Sequence, residues 1–176
     1  SVEWTNNFTQ TQPNSGSTPF QQTTFKVVYD DKNLYALIRA YDAEPDKITK
    51  RVTRRDNFDS DWVEINIDSY FDKRTAFSFT LSAAGSRSDR AISNDSEWDT
   101  SWDPVWYGAT SIDDQGWITE MRIPMSQLRF SGDGNQIWGF QVNRYLFRKE
   151  ESSSWQYIPQ NAPGWVSLFG ELRGIT

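Results

Sequence analysis

From residue 24 to the end of the chain, apolar side chains recur at every second position in short runs that turn residues interrupt. A period of two places alternate side chains on opposite faces of a strand, so the pattern confines the chain to antiparallel sheets closed as a sandwich or barrel. Residues 61–68 show it most cleanly, with Val63, Ile65 and Ile67 on one side and Trp62, Glu64 and Asn66 on the other. Residues 76–81 repeat it, with Phe77, Phe79 and Leu81 opposed to Ala76, Ser78 and Thr80. Further strands are predicted at 24–29, 34–41, 105–112, 117–123, 137–147, 155–158 and 165–172. The turns Asp30-Asp31-Lys32-Asn33, Phe71-Asp72-Lys73-Arg74 and Asp113-Asp114-Gln115-Gly116 join neighbours into hairpins. Helix is limited to short turns, at 45–50 and 126–128. Residues 1–23 are polar and turn-prone, with Pro13, Gly16 and Pro19, and read as an irregular lead-in packing on a single domain formed by 24–176.

Composition then narrows the chemistry. The chain has 176 residues, a size that suits one domain, and nine Trp, eleven Phe and seven Tyr supply the core that a modest aliphatic content does not. It contains no cysteine, which excludes disulfides, thiolate metal sites and Cys nucleophiles. It contains no histidine, which removes the Ser-His-Asp triad, the commonest general base and His-ligated metals. With 24 acidic against 18 basic side chains the net charge is -6, and without a basic stripe nucleic acid is not an expected partner. No apolar run reaches the roughly 20 residues of a membrane-spanning helix. No signal peptide is read at the start, which leaves a cytosolic, mature or excised chain.

Alternation also tells which polar side chains share a face. Residues 138–146 separate into Trp138, Phe140 and Val142 against Gln141, Asn143 and Tyr145. If this strand and 61–68 lie in one sheet, carboxylate, amide and aromatic groups line one surface. That mixture suits a sugar, whose C–H face packs on a ring and whose hydroxyls need paired donors and acceptors. The competing reading is a solvated outer face. Trp98, Trp102 and Trp106 recur every four residues, but Asp99, Ser101 and Pro104 among them indicate a loop entering a strand. Trp165 follows Asn161-Ala162-Pro163-Gly164 with no periodic partner, so a binding ring competes there with a loop anchor. Acidic runs at Asp30-Asp31, 56–61, Asp68 with Asp72, and Asp95, Asp99 and Asp103 raise calcium as an option, although turn-forming Asp is the commoner explanation. Arg51, Arg54 and Arg55 read as a surface or structural ion-pair cluster, with an anion site as the alternative.

Several motifs carry a resemblance: Tyr29-Asp30-Asp31-Lys32-Asn33-Leu34-Tyr35, Arg54-Arg55-Asp56, Asp61-Trp62-Val63-Glu64-Ile65-Asn66-Ile67-Asp68, Gly116-Trp117-Ile118-Thr119-Glu120-Met121-Arg122-Ile123-Pro124 and Phe169-Gly170-Glu171-Leu172-Arg173. In this order they resemble a family 9 carbohydrate-binding module, and most closely the version that precedes a β-barrel in bacterial outer-membrane proteins. The resemblance implies an all-β fold, a single antiparallel β-sandwich with short helical turns. It also implies a non-catalytic module that holds a glycan end in an aromatic clamp. Carried over position by position, the clamp falls on Phe58 and Trp165, the strand glutamate on Glu64 and the amide after Gly-Phe-x-Val on Asn143. Two basic positions of the family fall near Ser78 and Pro124 and are not matched. Structural calcium is frequent in the family, with no ligands assigned here. The implied partners are a glycan or oligosaccharide and a C-terminal outer-membrane β-barrel of the same protein. The implied location is periplasmic, outer-membrane-associated or extracellular.

Two rival expectations stand beside the glycan module. One is a scaffold domain docked on the barrel without sugar binding. The other is a haem-binding sandwich, for which Met121 and Met125 are the familiar ligands left in a chain without histidine.

Overall fold

A computed structural model describes residues 1–54, 58–132 and 134–176. Within them the chain forms two antiparallel sheets packed face to face, the sandwich expected from the alternation. The smaller sheet has the order β2 (Thr23–Tyr29), β3 (Asn33–Tyr41), β9 (Gly116–Pro124), β8 (Tyr107–Asp113). The larger runs β1 (Thr9–Gln12), β11 (Glu151–Ser154), β10 (Gln136–Leu146), β4 (Trp62–Asp68), β5 (Ala76–Ser82), β6 (Arg87–Ser93), β7 (Glu97–Asp99). β12 (Gly170–Ile175) pairs with β10 at Gln136–Phe140, on the edge whose other half holds β11. Short 3-10 turns at Pro45–Lys47 and Met125–Gln127 fall where helical turns are expected.

The core lies between the sheets, on the side the alternation assigns to it. Val63, Ile65 and Ile67 of β4 face Leu34, Ala36 and Ile38 of β3, and Phe79, Leu81, Phe140, Trp117 and Trp138 are all but inaccessible to solvent. Burying each large side chain stabilises the sandwich by about 1.5–3 kcal/mol. Gly116 closes the β8–β9 hairpin at φ +132°, where a Cβ would meet the Ala40 carbonyl oxygen at 2.2 Å. Trp106 is buried and donates its indole N–H to Asp89 at 2.9 Å, while Trp102 packs on Phe77 and Phe79.

Besides Asp89, which shares its face with the core residue Phe79, a cation enters the inner face. Arg144 of β10, opposite Val63, is fully buried and donates to the Gln22 carbonyl, Thr23 Oγ1 and the Tyr41 carbonyl at 2.9, 3.2 and 2.8 Å. It thereby joins the large sheet to the chain on either side of β2 and β3. Burial pushes its pKa down to about 10, so it remains a cation at neutral pH.

The structure departs from the sequence reading in several places, among them the strands β6 and β7, which lie where no strand is predicted. The lead-in contains a strand, β1, which pairs with β11, and Thr5 bridges to Phe25. Residues 155–158 are not a strand, and the polar segment Glu151-Ser152-Ser153-Ser154 before them is. The final strand starts only at Gly170, after a 3-10 turn at Val166–Leu168. Arg55 and Asp56 of the Arg54-Arg55-Asp56 motif lie outside the described residues.

Candidate functional site

β4 and β10 are direct neighbours, and their register sets Glu64 opposite Asn143, Asn66 opposite Gln141 and Trp62 opposite Tyr145. All six side chains therefore point to the outer face of the large sheet, away from the core. Glu64 is the hub. Its Oε1 accepts from Asn66 Nδ2 at 3.2 Å and Asn143 Nδ2 at 3.1 Å, and its Oε2 from Thr80 Oγ1 at 2.6 Å and Arg90 at 3.3 Å. Asn143 Oδ1 accepts in turn from Ser154 Oγ at 2.7 Å. The amide group of Asn143 is thus fixed from both ends.

A strap of chain, residues 155–169, crosses above this face. It leaves β11 at Trp155, whose N–H reaches the Val142 carbonyl at 2.9 Å and whose ring packs inward on Phe25. Gln141 then holds Gln156 by its backbone in both directions, at 2.9 and 2.7 Å. At the far side of the sheet, Asp95 in the β6–β7 hairpin accepts from the N–H groups of Trp165 and Ser167 and from Ser167 Oγ, at 3.0, 2.9 and 3.0 Å. Burial pulls the Asp95 carboxyl upward, but these donors outweigh it and hold the carboxyl below its usual range. The fit needs Gly164, since a Cβ there would lie 2.4 Å from Asp95 Oδ2 and 2.3 Å from Ser167 Oγ. Val166 buries itself on Ala76 and Ile92 beside this anchor.

Between strap and sheet opens a cavity of about 440 Å³. Glu64, Asn143 and Arg90 give it a polar floor, and Trp62, Trp98 and Trp165 border it. The Trp98 and Trp165 rings lie 4.7 Å apart at 52°, and Phe169 packs edge-on against Trp165 at 4.7 Å. Arg90 stacks on Trp98 with its guanidinium carbon 3.6 Å from the ring centre. Trp62 stacks on Tyr145 at 5.5 Å.

Three of the four residues named from the sequence, Glu64, Asn143 and Trp165, therefore meet in one cavity. Phe58 does not join them. It is half-buried ahead of β4 and lies outside the cavity lining. The ring from that part of the chain that does border the cavity is Trp62, which the alternation had placed on the outer face. Trp98 and Arg90 were not named. Their signal is the Asn94-Asp95 turn, both residues at positive φ, which closes the short β6–β7 hairpin that carries them. Arg90 stands directly opposite Ser78, so a cation reaches the site from the strand beside the position where the family's basic residue is not matched. Pro124, the other unmatched position, ends β9 in the smaller sheet.

Among the described residues no group of three or more carboxylates is placed to hold a metal ion. Asp30, Asp68, Asp72 and Asp99 each accept backbone N–H groups within their own turns. That is the commoner role of such residues.

The sequence matches the family described as carbohydrate family 9 binding domain-like over residues 1–171. The chain belongs to this family. Solved structures share the fold of this family 9 domain. A candidate carbohydrate-binding protein from Bacteroides uniformis ATCC 8492 superposes with a TM-score of 0.77 at 12% identity, covering 98% of this chain and 86% of that one. A family 9 carbohydrate-binding module from Caldicellulosiruptor kristjanssonii, solved with glucose, gives a TM-score of 0.68 at 21% identity over 98% of this chain and 83% of that one. Its complex with cellotriose gives 0.68 and 21%, with 98% and 82% coverage. No curated protein matches the sequence significantly.

Proposed function

We propose that this family 9 domain is a non-catalytic glycan-binding module, and that the cavity under the strap is where the glycan end sits. The observation that carries the proposal is the composition of that cavity. Two indoles, Trp62 and Trp165, border a floor on which Glu64, Asn143 and Arg90 hold one another in fixed orientations. A pyranose ring set between the indoles packs its C–H face on them, and its hydroxyls meet N–H donors of Asn143 and Arg90. The glucose and cellotriose bound to the Caldicellulosiruptor modules support the same ligand class. On the resemblance, we place the domain in the periplasm, at the outer membrane or outside the cell.

Titration calorimetry with tryptophan fluorescence, in calcium and in chelator, tests this. Saturable binding of a sugar is expected, and Trp165→Ala should weaken it by about tenfold or more with the fold retained, the scale of a lost ring contact of about 1 kcal/mol plus its buried area. Unchanged affinity in Trp165→Ala and Trp62→Ala would remove the indoles from the site. No binding to any glycan would favour the barrel-docked scaffold, to be sought by copurification with the full-length protein.

A further inference from the structure

The smaller sheet ends on β8, and the open side of that strand carries none of the devices that keep strand edges from pairing with other chains. Those devices are short length, charge, proline, an irregular register or a covering segment. Each of the other edges among the described residues has at least one. β2 carries Lys26 and is bridged by Thr5 at Phe25. β1 has four residues and a shifted register against β11. β7 has three residues, two of them acidic. β12 carries Glu171 and Arg173 and shifts register against β10. β8, by contrast, is seven residues long, pairs with β9 in unbroken register, and reads Gly-Ala-Thr-Ser-Ile over 108–112, without a charge or a proline.

The backbone of that edge is open. Asp113 and Gly116 form the closing pair of the β8–β9 hairpin, so Asp113, Ser111, Ala109 and Tyr107 turn their N–H and C=O groups toward β9. Gly108, Thr110 and Ile112 point theirs the other way, and among the described residues no segment outside the sheet bonds to them. Tyr107, Gly108, Ala109 and Ser111 are exposed.

This edge is complementary to itself. An antiparallel pair centred on Thr110 sets Thr110 opposite its own counterpart, Gly108 opposite Ile112 and Ala109 opposite Ser111. The three outward-facing backbone units of one copy then meet the three of the other, and no two bulky or like-charged side chains stand opposite one another within 108–112. The ends match in charge. Arg122 of β9 stacks on Tyr107 with its guanidinium carbon 4.1 Å from the ring centre, and no carboxylate among the described residues pairs with it. The antiparallel arrangement carries this cation to the hairpin tip of the other copy, where Asp113 is engaged by Arg39 and Asp114 adds a further acid.

We propose that β8 is a self-association edge, through which two copies of this chain join their four-stranded sheets into one continuous sheet about a twofold axis at Thr110. The contact is a narrow strip, so the pairing is weak and reversible. It does not rest on the glycan reading. Where that reading holds, both large sheets lie on one side of the joined sheet, so the two cavities open in the same direction and the pair is bivalent.

Sedimentation equilibrium on the wild-type chain between about 10 μM and about 1 mM tests this, with a dissociation constant on the order of 100 μM expected. Ala109→Lys/Ser111→Lys sets lysine opposite lysine at two positions of the pair, on side chains that are exposed in the single chain. This variant should stay monomeric up to about 1 mM at an unchanged melting temperature, a weakening of at least about tenfold. Ala109→Glu/Ser111→Glu should behave in the same way alone, and an equimolar mixture of the two variants should recover the dimer, because each lysine then meets a glutamate. A wild-type chain that is monomeric at every concentration overturns the proposal. So does a dimer that persists in the lysine variant, or a mixture of the two variants that fails to associate.

Discussion

Four donors converge on Glu64, from Asn66, Thr80, Arg90 and Asn143, and a carboxylate offers about four lone-pair sites. A hydroxyl entering the cavity must therefore displace one of them or bond instead to the groups that Glu64 holds in place. Its main task is to position Asn143 and Arg90. Glu64→Gln keeps the shape but turns an NH2 group toward donors, leaving at least one buried N–H or O–H without an acceptor. Urea unfolding should show a loss of about 1–3 kcal/mol, and sugar affinity should fall with it; a variant unchanged in both would show that the four bonds matter little. At this scale the sequence was partly legible. Alternation put Glu64 and Asn143 on one face because a strand with a buried side must alternate. Trp98 escaped because β7 is three residues long and exposed throughout, too short for a period to show.

The strap is a single device with an anchor at each side of the sheet, Gln141 and Asp95. The depressed pKa of Asp95 fixes the sign of its pH response. The anchoring is at full strength above the ordinary carboxylate range and is lost as pH falls below about 4 through the lowered value. Asp95→Ala removes three hydrogen bonds at once. Hydrogen exchange should then speed up at the Trp165 and Ser167 amides while the β4 and β10 amides keep their protection, and sugar binding should weaken. Slow exchange persisting at both strap amides would show that Val166 and its contacts hold the strap without Asp95. The strap was misread as a strand at 155–158 and as the first part of the strand at 165–172, of which Gly170 onward is strand, because its apolar residues imitate strand sequence. Trp155 turns inward onto Phe25, and Val166 packs on the outer face, so the same composition serves two opposite sides. The true strand, β11, carries three serines, whose small polar side chains give no contrast between faces.

Across the whole sandwich, buried ionisable groups set the pH response. Asp61 is fully buried, accepts the Phe147 N–H at 3.1 Å, and has its pKa raised to about 6 by burial, partly offset by that bond and by Arg144 and Arg148. A carboxyl that holds its proton longer when folded than when unfolded contributes stability below about pH 4, and that contribution is lost as pH rises through about 6. Asp61→Asn should remove this loss, so that the stability of the wild type relative to the variant falls by on the order of 2–3 kcal/mol between about pH 4 and pH 7. A parallel pair of stability curves would contradict it. The sandwich itself was legible because its core is made of alternating strands, whereas the buried Arg144 sat unremarked between two apolar neighbours, where only the approach of the second sheet supplies its acceptors. The strap contains no strand of its own. It departs from the end of β11 and returns as β12 along the same edge of β10, so no strand pairing depends on what lies between them. The strap is thereby an exchangeable cassette. A strap from a relative with another sugar preference, given the same docking points at Gln141 and Asp95, can be transplanted onto this scaffold without redrawing a strand pairing in either sheet.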